Sequence, residues 1–193
     1  MPHAVHIESM TSFIALLRAV NVGGTGKLAM ADFKAMCEAA GFHSVRTYIA
    51  SGNVVFESKL HETAVRKELE GRLLAYAGKP VGIVVRTAAE MAEVLARNPF
   101  PHAPANRTVA IFLDAAPPTD ALASLSGRVD EKVALGRKEI YVYYGANMGR
   151  STLKIPAAKS GTARNMNTVA KLASLAAADA TPVSSRPSAS GRK

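Results

Sequence analysis

The residues best placed to do chemistry lie in Asn21-Val22-Gly23-Gly24-Thr25-Gly26-Lys27, a glycine-rich turn that follows an apolar run and precedes a helical pattern. In that setting backbone N–H groups, a lysine and the positive end of a helix dipole favour an anion. A Walker A loop would also need a glycine where Asn21 stands and a magnesium-binding hydroxyl where Leu28 stands. The stretch VAIFLD, ending at Asp114, imitates the second Walker element, but such enzymes are built on a mostly parallel sheet, which a hairpin at Ser51-Gly52-Asn53 contradicts. The expectation is an anion-favouring turn that uses Arg18, Asn21 and Lys27, with no nucleoside triphosphatase chemistry and no cofactor implied.

A second concentration of polar residues runs from Gly145 to Leu172, where Arg150, Ser151, Lys154, Lys159, Thr162, Arg164 and Asn165 precede a helical pattern. Arginine offers a bidentate fork for phosphate or carboxylate, and helix N–H groups add to it. A long irregular segment inside a compact domain is often functional. Ser51-Gly52-Asn53, Ser151-Thr152-Leu153-Lys154 and Lys159-Ser160-Gly161 match the three short signatures of penicillin-binding serine enzymes, yet their order along the chain is wrong for that chemistry. No G-x-S-x-G elbow occurs, the five histidines form no triad pattern, and one cysteine with scattered histidines has no zinc spacing. Cys37 falls at helical spacing with Phe33, Met36 and Ala40 and reads as an inert core thiol. Tyr141, Tyr143 and Tyr144 read as packing residues of a strand rather than base-stacking ones.

The elements that must position these groups follow from periodicity. Residues 12–20 read as a buried strand and residues 30–40 as a helix stopped by Gly41. VRTYIASGNVVFES reads as two strands around a tight turn at Ser51–Asn53. Residues 61–77 are a helix and residues 80–86 a strand, which completes the order βαββαβ. That order predicts a ferredoxin-like half over residues 11–87, an antiparallel sheet covered by two helices on one face. Thr87-Ala88-Ala89-Glu90 is a capping-box pattern that starts a helix over 88–97. Strands over 108–114, 131–135 and 139–144 and a short helix over 119–126 repeat the first half more loosely, and Asn165 caps a last helix. The fold class expected is α+β, two ferredoxin-like halves with largely antiparallel sheets. The second spans 88–178 and carries the basic segment, residues 1–10 form a flexible extension, and residues 179–193 form a disordered tail.

Bulk properties narrow the partners. The net charge of +9 sits mostly at one end: from Arg150 onward there are eight Lys and Arg against one acid, whereas residues 1–149 hold sixteen basic and fourteen acidic side chains. Such a surplus favours a nucleotide or nucleic acid as partner of the C-terminal quarter. With 193 residues the chain can bury an ample core without disulfides. No apolar run approaches the ~20 residues that cross a bilayer, and FIALLRAV, broken by Arg18 and preceded by no basic cluster, fails as a secretory signal. A cytoplasmic protein without membrane association is expected.

The blocks FIALLRAVNVGGTGKLAMADF, GFHSVRTYIASGNVVFES, GRSTLKIP and TARNMNTVAKLASL, taken in order, make the chain resemble the family called domain of unknown function 1697, from about residue 11 to 176. The resemblance implies a compact bacterial α+β protein of two ferredoxin-like halves and implies no activity. Ala19, Ala50 and Met166 stand where that family usually has glycine, often glutamine and commonly tryptophan. The resemblance begins just after Met10, which makes Met10 a candidate start. The leading functional expectation is binding of an anionic ligand, a nucleotide or nucleic-acid phosphate, by Arg18, Asn21, Lys27, Arg150, Ser151, Lys154, Arg164 and Asn165. The alternatives are an enzyme on a small phosphorylated or carboxylated substrate oriented by Ser51, Asn53 or Ser151, and a scaffold for a protein partner.

Overall fold

A computed structural model describes residues 9–18, 28–146 and 148–179. The chain runs β1 (Thr11–Leu17), α1 (Met30–Ala39), β2 (His43–Thr47), β3 (Asn53–Ser58), α2 (Glu62–Ala77), β4 (Ile83–Thr87), α3 (Ala88–Ala96), β5 (Thr108–Phe112), β6 (Lys132–Leu135), β7 (Glu139–Tyr143), β8 (Thr162–Asn165) and α4 (Met166–Asp179). It is an α+β protein with two four-stranded sheets, ordered β2-β3-β1-β4 and β6-β7-β5-β8, in which every neighbouring pair is antiparallel. Counted within its own sheet, the order is the same in both: second, third, first, fourth. Among the described residues no helix is long and apolar enough to cross a membrane.

β1 explains the layering. Its run FIALL is apolar at consecutive positions, so both faces of the strand seek cover, and residues 12–17 are all buried. Phe13, Ala15 and Leu17 pack with Phe33 and Cys37 of α1 and Val65, Leu69 and Leu73 of α2. Ile14 and Leu16, on the opposite face, meet Met91 and Val94 of α3, Val169 and Leu172 of α4, and Phe112 and Tyr141 of the second sheet. α3 and α4 are therefore a middle layer between the sheets, and the first sheet is covered on both faces. The outer face of the second sheet, Val109, Ile111, Ile140 and Val142, is closed by Leu153, Ile155, Ala157 and Ala158.

Local chemistry sets the boundaries. Thr87 and Glu90 form the reciprocal capping box that their spacing predicts, each satisfying a free N–H at the start of α3. Asn165 Oδ1 accepts from the Thr168 N–H at 2.9 Å at the start of α4. Three expectations differ in detail. The short helix over 119–126 is a single 3₁₀ turn, Ala121–Ser124. The segment read as irregular holds 3₁₀ turns at Met148–Arg150 and Pro156–Ala158. It also holds β8, whose pairing with β5 matches Ala110 to Arg164 and Phe112 to Thr162. Thr162-Ala163-Arg164-Asn165 carries no alternating apolar pattern, so its strand character comes only from the edge of β5 that it satisfies.

Candidate functional site

The turn between β2 and β3 is locked by its own side chains. Asn53 is fully buried, and its amide donates to Tyr48 O and to Ser51 Oγ, both at 2.9 Å. Gly52 has φ +75°, and a Cβ there would lie 2.7 Å from Leu17 Cβ, so both conformation and space demand glycine. The Leu17 N–H donates to Gly52 O at 2.8 Å, which seats the turn on the end of β1.

Arg164 reaches this turn from the other sheet. Its Nε donates to Asn53 Oδ1 at 2.5 Å and its Nη1 to Thr162 Oγ1 and Ala163 O, both at 2.8 Å. Its Nη2 donates to Leu17 O at 3.1 Å, Ser51 O at 2.9 Å and, more weakly, Gly52 O at 3.4 Å. Five N–H groups are thereby all engaged inside the protein. Burial, with no carboxylate in contact, pushes the guanidinium down to about 10. Ser51, Asn53 and Arg164, expected as ligand-binding residues, do come together, as a clasp between the sheets whose polar atoms face one another.

Arg18, one residue beyond Leu17, lies across Gly82: its N–H donates to Gly82 O at 2.8 Å, and a Cβ on Gly82 would stand 2.6 Å from Arg18 Cδ. Its Nη2 reaches Asp114 Oδ2 at 2.7 Å, while Arg66 Nη1 of α2 reaches the other oxygen, Oδ1, at 2.9 Å. Arg66 also pairs with Glu70 at 2.8 Å, and that hydrogen bond chiefly raises the Arg66 pKa. Burial pushes the Asp114 carboxyl up, but the two guanidiniums, Arg18 foremost, outweigh it and hold the group below the usual carboxylate range. Arg86 of β4 is buried over the Phe112 ring at 5.9 Å and donates to Leu113 O at 2.5 Å and Lys138 O at 3.2 Å. Desolvation lowers its pKa, opposed by nearby carboxylates that include Glu90 and Asp114. Four arginines from β4, α2, β8 and the end of β1 thus gather around Leu17–Arg18 and Leu113–Asp114.

The other expected residues are placed elsewhere. Ser151 donates to Glu131 Oε1 and accepts from the Leu153 N–H at 3.2 Å, and the Lys154 backbone bridges to Ser126 at 2.8 Å and 3.2 Å. Arg150 is exposed in the adjoining 3₁₀ turn. This group packs with the loop that leads into β6, at the edge of the second sheet opposite β8, so it does not join Arg164. The Ser151 hydroxyl, then the Val129 N–H, lower the Glu131 pKa, which makes that carboxylate a weak base toward serine. Asn21 and Lys27 lie outside the described residues. Cys37 is fully buried, and burial pushes its thiol up to about 12; among the described residues no group of His, Cys, Asp and Glu could hold a metal ion. Sequence reasoning missed Arg66 and Arg86 and met Asp114 only as a false Walker residue. The available signal was a lone acid ending a strand, with no local basic partner to explain it.

Fold and site together define an α+β protein with two antiparallel four-stranded sheets joined through buried arginines. The chain belongs to the family "Protein of unknown function (DUF1697)", whose model matches residues 10–141. Among solved structures it is similar to a conserved bacterial protein from Streptococcus pneumoniae, with a TM-score of 0.73 and 23% identity, over 86% of this chain and 99% of that one. No curated protein matches it.

Proposed function

We propose that the protein binds an anionic ligand, the phosphate of a nucleotide or nucleic acid, at the end of β1. The observation that carries this reading is the convergence of Arg18 and Arg66, from separate elements, on the single carboxylate of Asp114, with Arg86 and Arg164 fixed behind them. The buried pair raises the local positive potential and the outer pair supplies forks that can exchange partners. Asn21 and Lys27 follow Arg18 in the chain and would add to the same anion preference. Arg150 and Lys154 would be reached only by an extended ligand such as a nucleic acid. The same reading takes the two sheets as ferredoxin-like halves, on the strength of their shared strand order, and places the protein in the cytoplasm.

A thermal-shift screen tests the proposal, with nucleoside mono- and diphosphates, phosphorylated sugars and a short single-stranded RNA at fixed ionic strength. The intact chain is expected to gain melting temperature with at least one of them, and Arg18→Gln and Arg66→Gln are each expected to lose that gain. A ligand that stabilises all three proteins equally, or a screen without any shift, sinks it. An RNA ligand would show affinity falling steeply with salt.

A further inference from the structure

Resting on the anion-binding reading, we infer that Asp114 is an internal stand-in for the ligand, and that the group displacing it from Arg18 and Arg66 is a phosphoryl group. Asp114 divides its two oxygens between two guanidiniums, Oδ2 to Arg18 and Oδ1 to Arg66, which is how a bound oxyanion would be held. The Asp114 side chain is 37% exposed, so swinging into water costs it little, and exposed ion pairs of this kind contribute little stability. Arg18 Nε is buried and has no hydrogen-bond partner, although the neighbouring Nη2 is engaged. A carboxylate has no third oxygen to offer that N–H; a phosphoryl group has one, together with a second negative charge. Displacement breaks two ion pairs and forms two of the same kind plus the missing bond. No covalent step is involved.

Calorimetric titration with inorganic phosphate, and with acetate as the two-oxygen control, distinguishes the possibilities at constant ionic strength. Asp114→Asn removes the competing charge and is expected to bind phosphate about tenfold more tightly than the intact chain, with a smaller gain for acetate. The double variant Arg18→Gln with Asp114→Asn is expected to lose the gain. Equal phosphate affinity in the intact chain and in Asp114→Asn overturns the stand-in and leaves the anion-binding reading in place. An acetate gain as large as that for phosphate overturns the phosphoryl assignment. Absence of phosphate binding in both folded proteins overturns both readings. Should Asp114→Asn melt below the working temperature, the carbon-13 resonance of the Asp114 carboxyl in the intact chain gives the answer. Saturating phosphate is expected to move it to the position of a solvated aspartate, and an unmoved resonance overturns the inference.

Discussion

Arg164 sets the energetics at the level of single residues. A buried cation is costly, and an apolar replacement of similar volume can be neutral or stabilising where the partners leave with it. Here they stay: Ser51 O and Asn53 Oδ1 are fixed by the backbone and by the turn and would be stranded without a donor, while Leu17 O would keep only the Thr162 hydroxyl at 3.0 Å. Each stranded buried acceptor costs about 1–3 kcal/mol, so Arg164→Ala is expected to destabilise the protein by roughly 3 kcal/mol or more. Arg164→Lys restores the charge but not the planar fork and is expected to recover less than half of the loss. Urea midpoints read both, with an unchanged slope showing that the native state is otherwise intact. Gly52→Ala should be comparably damaging, because it combines strain at φ +75° with a contact at 2.7 Å. A midpoint for either alanine variant close to that of the intact chain would show that the clasp contributes little.

At the scale of elements, α3 is held at its start by the Thr87–Glu90 box and tied to the β6–β7 turn through Glu90–Lys138 at 3.2 Å and Glu93–Arg137 at 2.9 Å. Thr87→Ala is expected to cost about 1 kcal/mol. Burial pushes Glu90 up, but the Thr87 N–H and Lys138 outweigh it and the carboxyl sits below its usual range. A depressed native pKa means that the unfolded chain binds more protons across the interval between the two values. Stability from Glu90 is therefore complete above the ordinary glutamate pKa and lost as pH falls through the native one. Glu90→Gln is expected to flatten the acid limb of a stability–pH profile, and an unchanged limb would refute that assignment. The box was legible because capping is local: Thr87, Glu90 and the apolar run after them occupy a few consecutive residues. The hairpin at Ser51–Asn53 and the Asn165 cap were legible for the same reason. β8 was not, since its pairing joins Asn165 to Val109 across more than fifty residues and its own side chains carry no strand period. Nor was the inward aim of Arg164, because a basic residue before a helix looks the same in sequence whether it faces solvent or another sheet.

For the whole molecule, the question is whether two sheets with the same strand order behave as two units. The middle layer argues against it. Ile14, Leu16, Val55 and Val84 of the first sheet share one core with Met91, Phe112, Tyr141, Val169 and Leu172, so separating the halves would expose a large apolar face on each. Polar ties cross the same boundary: Arg86 to Leu113 O, Arg164 to Leu17 O, and Arg46 to Leu175 O at 2.8 Å. The expected result is one cooperative transition, with the amides of β1 and β3 exchanging at the same opening free energy as those of β5 and β7. Residues 9–87 produced alone would keep α1 and α2 over one face but leave the other uncovered, and are expected to aggregate or bind an apolar dye rather than give a dispersed amide spectrum. Two resolved unfolding transitions, or a well-folded isolated first half, would show instead that each sheet carries its own stability. The arginine ties would then be links between independent domains.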